Sequence, residues 1–181
     1  LSHEQVVTKL NSLLNDSKQA PAKEEVTTLK SVLDRLTKGA HKYTEAISSI
    51  ISSADIPVRI VDSIDSKDGT QIHGQYNSTT NEILLSKDAS IETAIHEGVH
   101  AATFNKILGY YSGAKTNVTV KAAITRIEKL LATAEARLNT LSESERESVQ
   151  NMLDTLAQYS EDTPQDKASR LNEFMAWGLA N

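Results

Sequence analysis

Apolar residues fall at helical spacing over the first fifty positions. Val6, Leu10, Leu13 and Leu14 repeat at three and four residues and predict a first helix. Pro21 fits the first turn of a second helix carrying Val26, Leu29, Val32, Leu33 and Leu36. "KGA" at 38–40 marks a break. A third helical segment, roughly 41–53, carries Ala46, Ile47, Ile50 and Ile51. Stripes of this kind belong to helices packed on one another.

The period changes at "IPVRIVDSI", 56–64, where branched residues predict a strand starting after Pro57. "DSKDGT" is turn material, and "IHGQYNSTTNEILLS" reads as two short strands around a polar turn at 77–81. This is the one β region the pattern supports, so the sheet must be small. "KDASIETAIHEGVHAATFNKILG" then returns to helix, with Asp88 or Ser90 as the starting cap and Gly109 as the end. After a loop with Tyr110, Tyr111 and Gly113, a long helix runs over roughly 117–139. Its seam is Val120, Ile124, Ile127, Leu131, Ala134 and Leu138, spaced for packing on neighbouring helices. Ser142 with Glu145 forms a capping box for a helix to about 159. Thr163, Pro164 and Asp166 start a last helix over about 164–180.

No clean linker divides the chain, so it reads as one domain over 1–181. Its parts are an N-terminal helical segment (1–53), a sheet with the following helix (56–110), and C-terminal helices (117–181). Its 181 residues can bury a real core. Net charge is −5 and no long basic run occurs, which argues against nucleic acid or an anionic membrane as the main partner. The absence of cysteine excludes disulfides, thiolate metal sites and cysteine nucleophiles. No apolar run reaches a membrane span, and "LSHEQVVTKL" lacks signal-peptide character. A cytoplasmic or virion-associated setting fits that reading. The chain opens on Leu, as a piece of a longer polypeptide would.

"TAIHEGVHAAT", 93–103, contains His96, Glu97 and His100 in the pattern His-Glu-x-x-His. Residues four apart share one helix face, so both imidazoles can meet one Zn²⁺ at about 2.0–2.1 Å. Glu97 follows His96 directly and leans beside the metal, where it can accept a proton from an activated water and pass it to a leaving amine. The flanks Ala94, Ile95, Val99, Ala101 and Ala102 are apolar or small. A buried helix with so polar a face needs a reason, and a metal is the usual one. Gly98 lowers helix stability by roughly 1 kcal/mol relative to Ala, tolerable where something packs closely on the backbone.

On these residues the chain resembles the zincin metallopeptidases, over roughly 56–110 and the last helix. The resemblance implies a small sheet packed on the active-site helix; the N-terminal helices and the 117–159 region have no counterpart in that family, and with them the expected fold is α+β and mostly helical. The resemblance also implies that "NEILLS", 81–86, is the rim strand along which a peptide substrate adds. Ile83 and Leu85 would face one way, Glu82 and Leu84 the other. The metzincin continuation is excluded, because Thr103 and Lys106 stand where its Gly and His would be, and His3, His41 and His73 all lie upstream. The gluzincin pattern implies a Glu from a later helix, and Asn172-Glu173 with Ala176 supplies it, set among Leu171, Phe174, Met175, Trp177 and Leu179. Glu128, Asp154, Glu161, Asp162 and Asp166 compete from charged or turn-like surroundings. The Asp that often follows the ligand Glu is missing here, since Ala176 and Trp177 occupy its region. That leaves a backbone carbonyl or Asn172 to orient a zinc histidine.

The expected metal site is therefore His96, His100 and Glu173 around Zn²⁺, with Glu97 as base and acid. Tyr159 and Tyr111 are the first candidates to steady an oxyanion, ahead of Tyr110 and His73. The implied activity is hydrolysis of a peptide or protein substrate, in a module of a phage or mobile-element polyprotein. The competing readings are a non-catalytic helical interaction domain with a structural or vestigial zinc site, and a metal-free helical scaffold pairing through the 120–138 seam.

Overall fold

A computed structural model describes residues 24–53, 55–66, 68–138 and 140–180. The predicted first helix with Val6, Leu10, Leu13 and Leu14, and Pro21, lie outside the described residues. The chain is α+β and mostly helical, as expected. In order it forms β1 (Glu25–Thr28), α1 (Leu29–Leu36), α2 (Lys42–Ile51), β2 (Pro57–Val61), β3 (Ile64–Asp65), β4 (Gln71–Ile72), β5 (Gly74–Asn77) and β6 (Glu82–Ser86). Then come α3 (Ile91–Tyr111), α4 (Val118–Leu138), α5 (Glu143–Ser148), α6 (Gln150–Leu156) and α7 (Pro164–Ala180).

Four strands form one sheet in the order β1-β2-β6-β5, and β3 with β4 forms a separate hairpin. β2 runs parallel to β6; β1 and β5 are antiparallel to their neighbours. Alternation sets the faces. Val58 and Ile60 lie beside Ile83 and Leu85, and all four are buried toward the helices. On the other face Arg59 bridges Glu24 at 2.7 Å and Glu82 at 3.0 Å. The pattern predicted these two strands and the turn between β5 and β6. It placed the rim wrongly. β6, which contains most of "NEILLS", is paired on both sides, and the edge strands among the described residues are β1 and β5.

Three element boundaries also differ. Val26 lies in β1 and is 70% exposed, because Val26, Thr27 and Thr28 are a β-branched run that pairs with β2. The helix begins only after Thr28, whose hydroxyl accepts from the Ser31 N–H. Gly109 does not end α3. The helix continues through Tyr110 and Tyr111 to Ser112, and Gly113, at φ 77°, makes the turn. The helix predicted from Ser142 to about 159 keeps its capping box but breaks at Val149, at φ −112° and ψ 7°.

α3 is the central element. Ser90 caps its start, accepting from the Thr93 N–H at 3.1 Å. Its first half packs under the sheet with α1 and α2, through Ala94, Ile95 and Val99 against Leu29, Leu33, Ile51, Ile83 and Leu85. Gly98 faces that layer, and a Cβ there would stand 2.7 Å from Ile51 Cδ1. The second half, with Phe104 and Ile107, packs on Ile124 of α4 and on Ala168 and Leu171 of α7. α7 also reaches the first layer through Ala176, so it lies along α3 and joins the two clusters. The seam of α4 faces inward, with Ile124 fully buried. No helix among the described residues is long and apolar enough to cross a membrane.

Candidate metal centre

One turn of α3 separates His96 from His100, and their rings stand 4.7 Å apart, edge to face. α7 brings Glu173 to both. His96 Nε2 lies 3.4 Å from Glu173 Oε2, and His100 Nε2 lies 3.5 Å from Oε1. All three donor atoms fall within 4.8 Å of one another. Ligands about 2.0–2.1 Å from a tetrahedral ion stand roughly 3.3–3.4 Å from each other. The two His–Glu spacings match that figure, and a largest donor separation within 4.8 Å is short enough for one borderline ion to draw the three groups together. Among the described residues this is the one cluster of three such groups.

Hydrogen bonds fix how His100 presents itself. The Val99 carbonyl can only accept, so the Thr103 hydroxyl donates to it at 2.7 Å. Thr103 Oγ1 then accepts from Asn172 Nδ2 at 2.6 Å. Asn172 Oδ1 consequently points at His100 Nδ1, 2.5 Å away, which must carry the proton. In the neutral ring Nε2 then carries the lone pair that metal ligation requires; without metal, the protonated ring turns an Nε2–H toward Glu173. Asn172 is 1% exposed, so no water competes for these bonds. His96 is held differently. The Trp177 ring packs edge-on against it at 5.5 Å, in the region where the zincin pattern often carries an Asp.

Electrostatics follow from burial. For Glu173 burial works against the carboxylate, but hydrogen bonds and charge from His100 and His96 overcome it and hold its pKa down at about 2. Burial likewise opposes the His100 imidazolium, yet Glu173 raises its pKa above 6.5. Glu97, 8% exposed, has its pKa raised by burial, which the two histidines only partly counter. The Tyr76 backbone N–H donates to it from β5. Gly74 lets β5 come that close, since a Cβ there would sit 2.7 Å from Thr93 Cγ2 and 2.8 Å from Glu97 Cγ.

A cleft of about 300 Å³ opens onto these groups. Its walls carry the neutral polar side chains Gln75, Ser78, Gln165 and Ser169, with Phe104, Tyr76 and Tyr159. Of the oxyanion candidates, Tyr159 lines the cleft. Tyr111 does not, because its hydroxyl is turned to Glu128 at 2.7 Å, in a cavity lined by Lys167, Arg170 and Leu171 of α7. Tyr110 packs edge-on against Tyr111, and His73 Nδ1 lies 3.0 Å from Ser86 Oγ. The competing carboxylates are engaged elsewhere: Glu128 by Tyr111, Asp154 by Gln150, Glu161 by Arg170, Asp166 by Ser160. Asp162 joins no metal-binding group. Sequence reasoning missed Thr103 and Gly74, for neither a helical threonine nor a glycine beside a strand signals a site.

No family model matches the chain, and no solved structure matches it. Its sequence is similar to the virion DNA-directed RNA polymerase of Enterobacteria phage N4, 36% identical over 115 residues. That stretch is 61% of this chain but 3% of the phage protein, so the chain corresponds to a small piece of that relative.

Proposed function

We propose that the chain is a zinc-dependent peptidase of the gluzincin kind. One observation carries this reading: a His-Glu-x-x-His helix and a Glu from a second helix converge on one point beside a buried carboxylate and an open cleft. His96, His100 and Glu173 would hold Zn²⁺. When bound, zinc supplies a Lewis acid and lowers the pKa of water from 15.7 toward about 7. Glu97 accepts the proton of the attacking water; its raised pKa then lets it return that proton to the leaving amine. Tyr159, which lines the cleft, would steady the oxyanion. A peptide would lie along β5, which is an edge strand among the described residues and whose Tyr76 N–H reaches Glu97. A structural zinc site is usually closed by four protein ligands, and among the described residues this one offers three, which favours catalysis over the staple reading.

The similarity to a virion protein supports a role as a module of a longer phage polypeptide. A match to 3% of that protein does not bring its polymerase activity with it.

The test is metal content by mass spectrometry on wild type and Glu173→Ala, both purified without added zinc. About one zinc per chain is expected in the wild type and a clear loss in the variant. Peptide-library cleavage follows, and Glu97→Gln should lower turnover by about 10²–10⁴-fold with zinc retained. A wild-type chain that takes up no zinc at micromolar supply ends the peptidase reading.

A further inference from the structure

The segment joining α6 to α7, residues 157–163, sends two side chains to different places. Tyr159 lines the metal cleft and is half-buried. Its pKa is raised by burial and then by the carboxylates of Glu173 and Asp166, so its ring stands within electrostatic reach of the metal-ligand carboxylate. Glu161, two residues later, lines a separate cavity of about 300 Å³. The α7 residues facing the cleft are Gln165, Ser169, Asn172 and Glu173, whereas Lys167, Arg170 and Leu171 face the second cavity. At 100° per residue these are opposite sides of the helix. The segment therefore straddles the N-terminal end of α7.

Its backbone does not settle there by local preference. Glu161 lies at φ 49°, in the left-handed region that side chains with a Cβ avoid. Such a conformation persists where surroundings over-determine it. At Glu161 the charged partner is the Arg170 guanidinium. Arg170 Nη1 is 3.3 Å from Glu161 Oε1, and Nη2 donates to Glu135 of α4. Arg170 is only about one-fifth exposed, and its planar fork holds both carboxylates at once. It stands three residues before Glu173 on the same helix. A second tie, Ser160 Oγ donating to Asp166 at 2.8 Å, holds the segment to the first turn of α7.

We propose that Arg170 is a positioning residue: braced on α4 through Glu135, it pins Glu161 in its left-handed turn and thereby sets Tyr159 over the metal cleft. Its consequence for turnover rests on the peptidase reading, but the placement of Tyr159 is measured without turnover or metal.

The experiment is nitration of the full chain with tetranitromethane, followed at each tyrosine by peptide mass spectrometry, in wild type, Arg170→Gln, Glu161→Gln and Glu161→Gly. Tyr159 should react several-fold faster in all three variants, with the exposed Tyr43 as an unchanged internal control. Glu161→Gly relieves the backbone strain while removing the pin, so it should free Tyr159 without lowering the melting temperature. A merely structural ion pair would not do that. In zinc-loaded protein with a cleavable peptide, the same variants should lower kcat with KM and zinc content held. Unchanged Tyr159 reactivity in the Glu161 variants overturns the inference, and so does a parallel rise at every tyrosine. An absence of zinc or turnover fails the peptidase reading alone.

Discussion

The Nδ1–H of His100 has a single acceptor, the Asn172 side chain, and the bond sits in a place water does not reach. Replacing Asn172 with Ala leaves that donor buried and unsatisfied and frees the ring to rotate or change tautomer. Loss of an orienting partner typically lowers metal affinity by about 10–100-fold. Asn172→Ala is expected in that range, and Glu173→Ala, which removes a ligand outright, should fall further. Asn172→Asp keeps an acceptor for Nδ1–H but no longer donates to Thr103, so it should lie between wild type and Ala. Trp177, the chain's one tryptophan, packs against His96, so its fluorescence offers a direct zinc titration. Equal zinc affinity in Asn172→Ala and wild type would show that the Val99–Thr103–Asn172 relay does not support the site. At this scale the sequence was informative where residue spacing alone carries the meaning. His96, Glu97 and His100 stood out because helix geometry places them. Glu173 stood out because a lone carboxylate sat among apolar neighbours. Thr103 was silent, since its part depends on Asn172, distant in sequence, arriving beside it.

Between elements, the close approaches are made by absent side chains. Gly98 gives up helix propensity, and alanine there would regain roughly 1 kcal/mol. Its Cβ, however, would stand 2.7 Å from Ile51 Cδ1 and 3.2 Å from Leu29 Cδ2, both core side chains at 4% and 0% exposure. Overpacking a filled core costs about 1–3 kcal/mol. The packing term outweighs the propensity term, so Gly98→Ala should destabilise by about 1 kcal/mol and lower the melting temperature by roughly 2–4 °C. A melting temperature at or above wild type would mean α1 and α2 do not press on α3 there. Local pattern read α3, α4 and α7 well, because each is long and periodic. It failed on β1, where Val26 continues the helical spacing of Leu29, Val32 and Leu33 although pairing with β2 decides its conformation. Strand order was likewise hidden. "NEILLS" alternates as any strand with one buried face would, and nothing in that alternation tells a rim strand from an inner one.

The whole molecule couples proton, metal and stability through one ion pair. In the metal-free chain, Glu173 raises the His100 pKa above its usual 6.5. A base whose pKa is higher folded than unfolded stabilises the fold fully below the unfolded value, and loses that contribution as pH rises through the folded value. Glu173, held at about 2 against an ordinary 4.5, has the opposite sign; its contribution is present above 4.5 and is lost as pH falls toward 2. The pair therefore supports the metal-free fold most between pH 4.5 and 6.5. Metal needs neutral imidazoles, so zinc must displace the His100 proton, and the two compete. At a zinc concentration of 100 times Kd, binding adds about 2.7 kcal/mol. For a chain of this length that is a rise of roughly 5–10 °C in melting temperature. Each pH unit below the folded His100 pKa then takes up to about 1.4 kcal/mol from this gain. Melting curves with and without zinc from pH 8 to pH 5.5 should show the gain shrinking while the metal-free protein grows more stable. Glu173→Gln should weaken the metal-free trend, because the carboxylate supplies the largest contribution that raises His100, while Glu97 and Asn172 still raise it. If zinc adds the same increment at both ends of that range, its ligands are not titrating groups, and the centre built from His96, His100 and Glu173 is not where it binds.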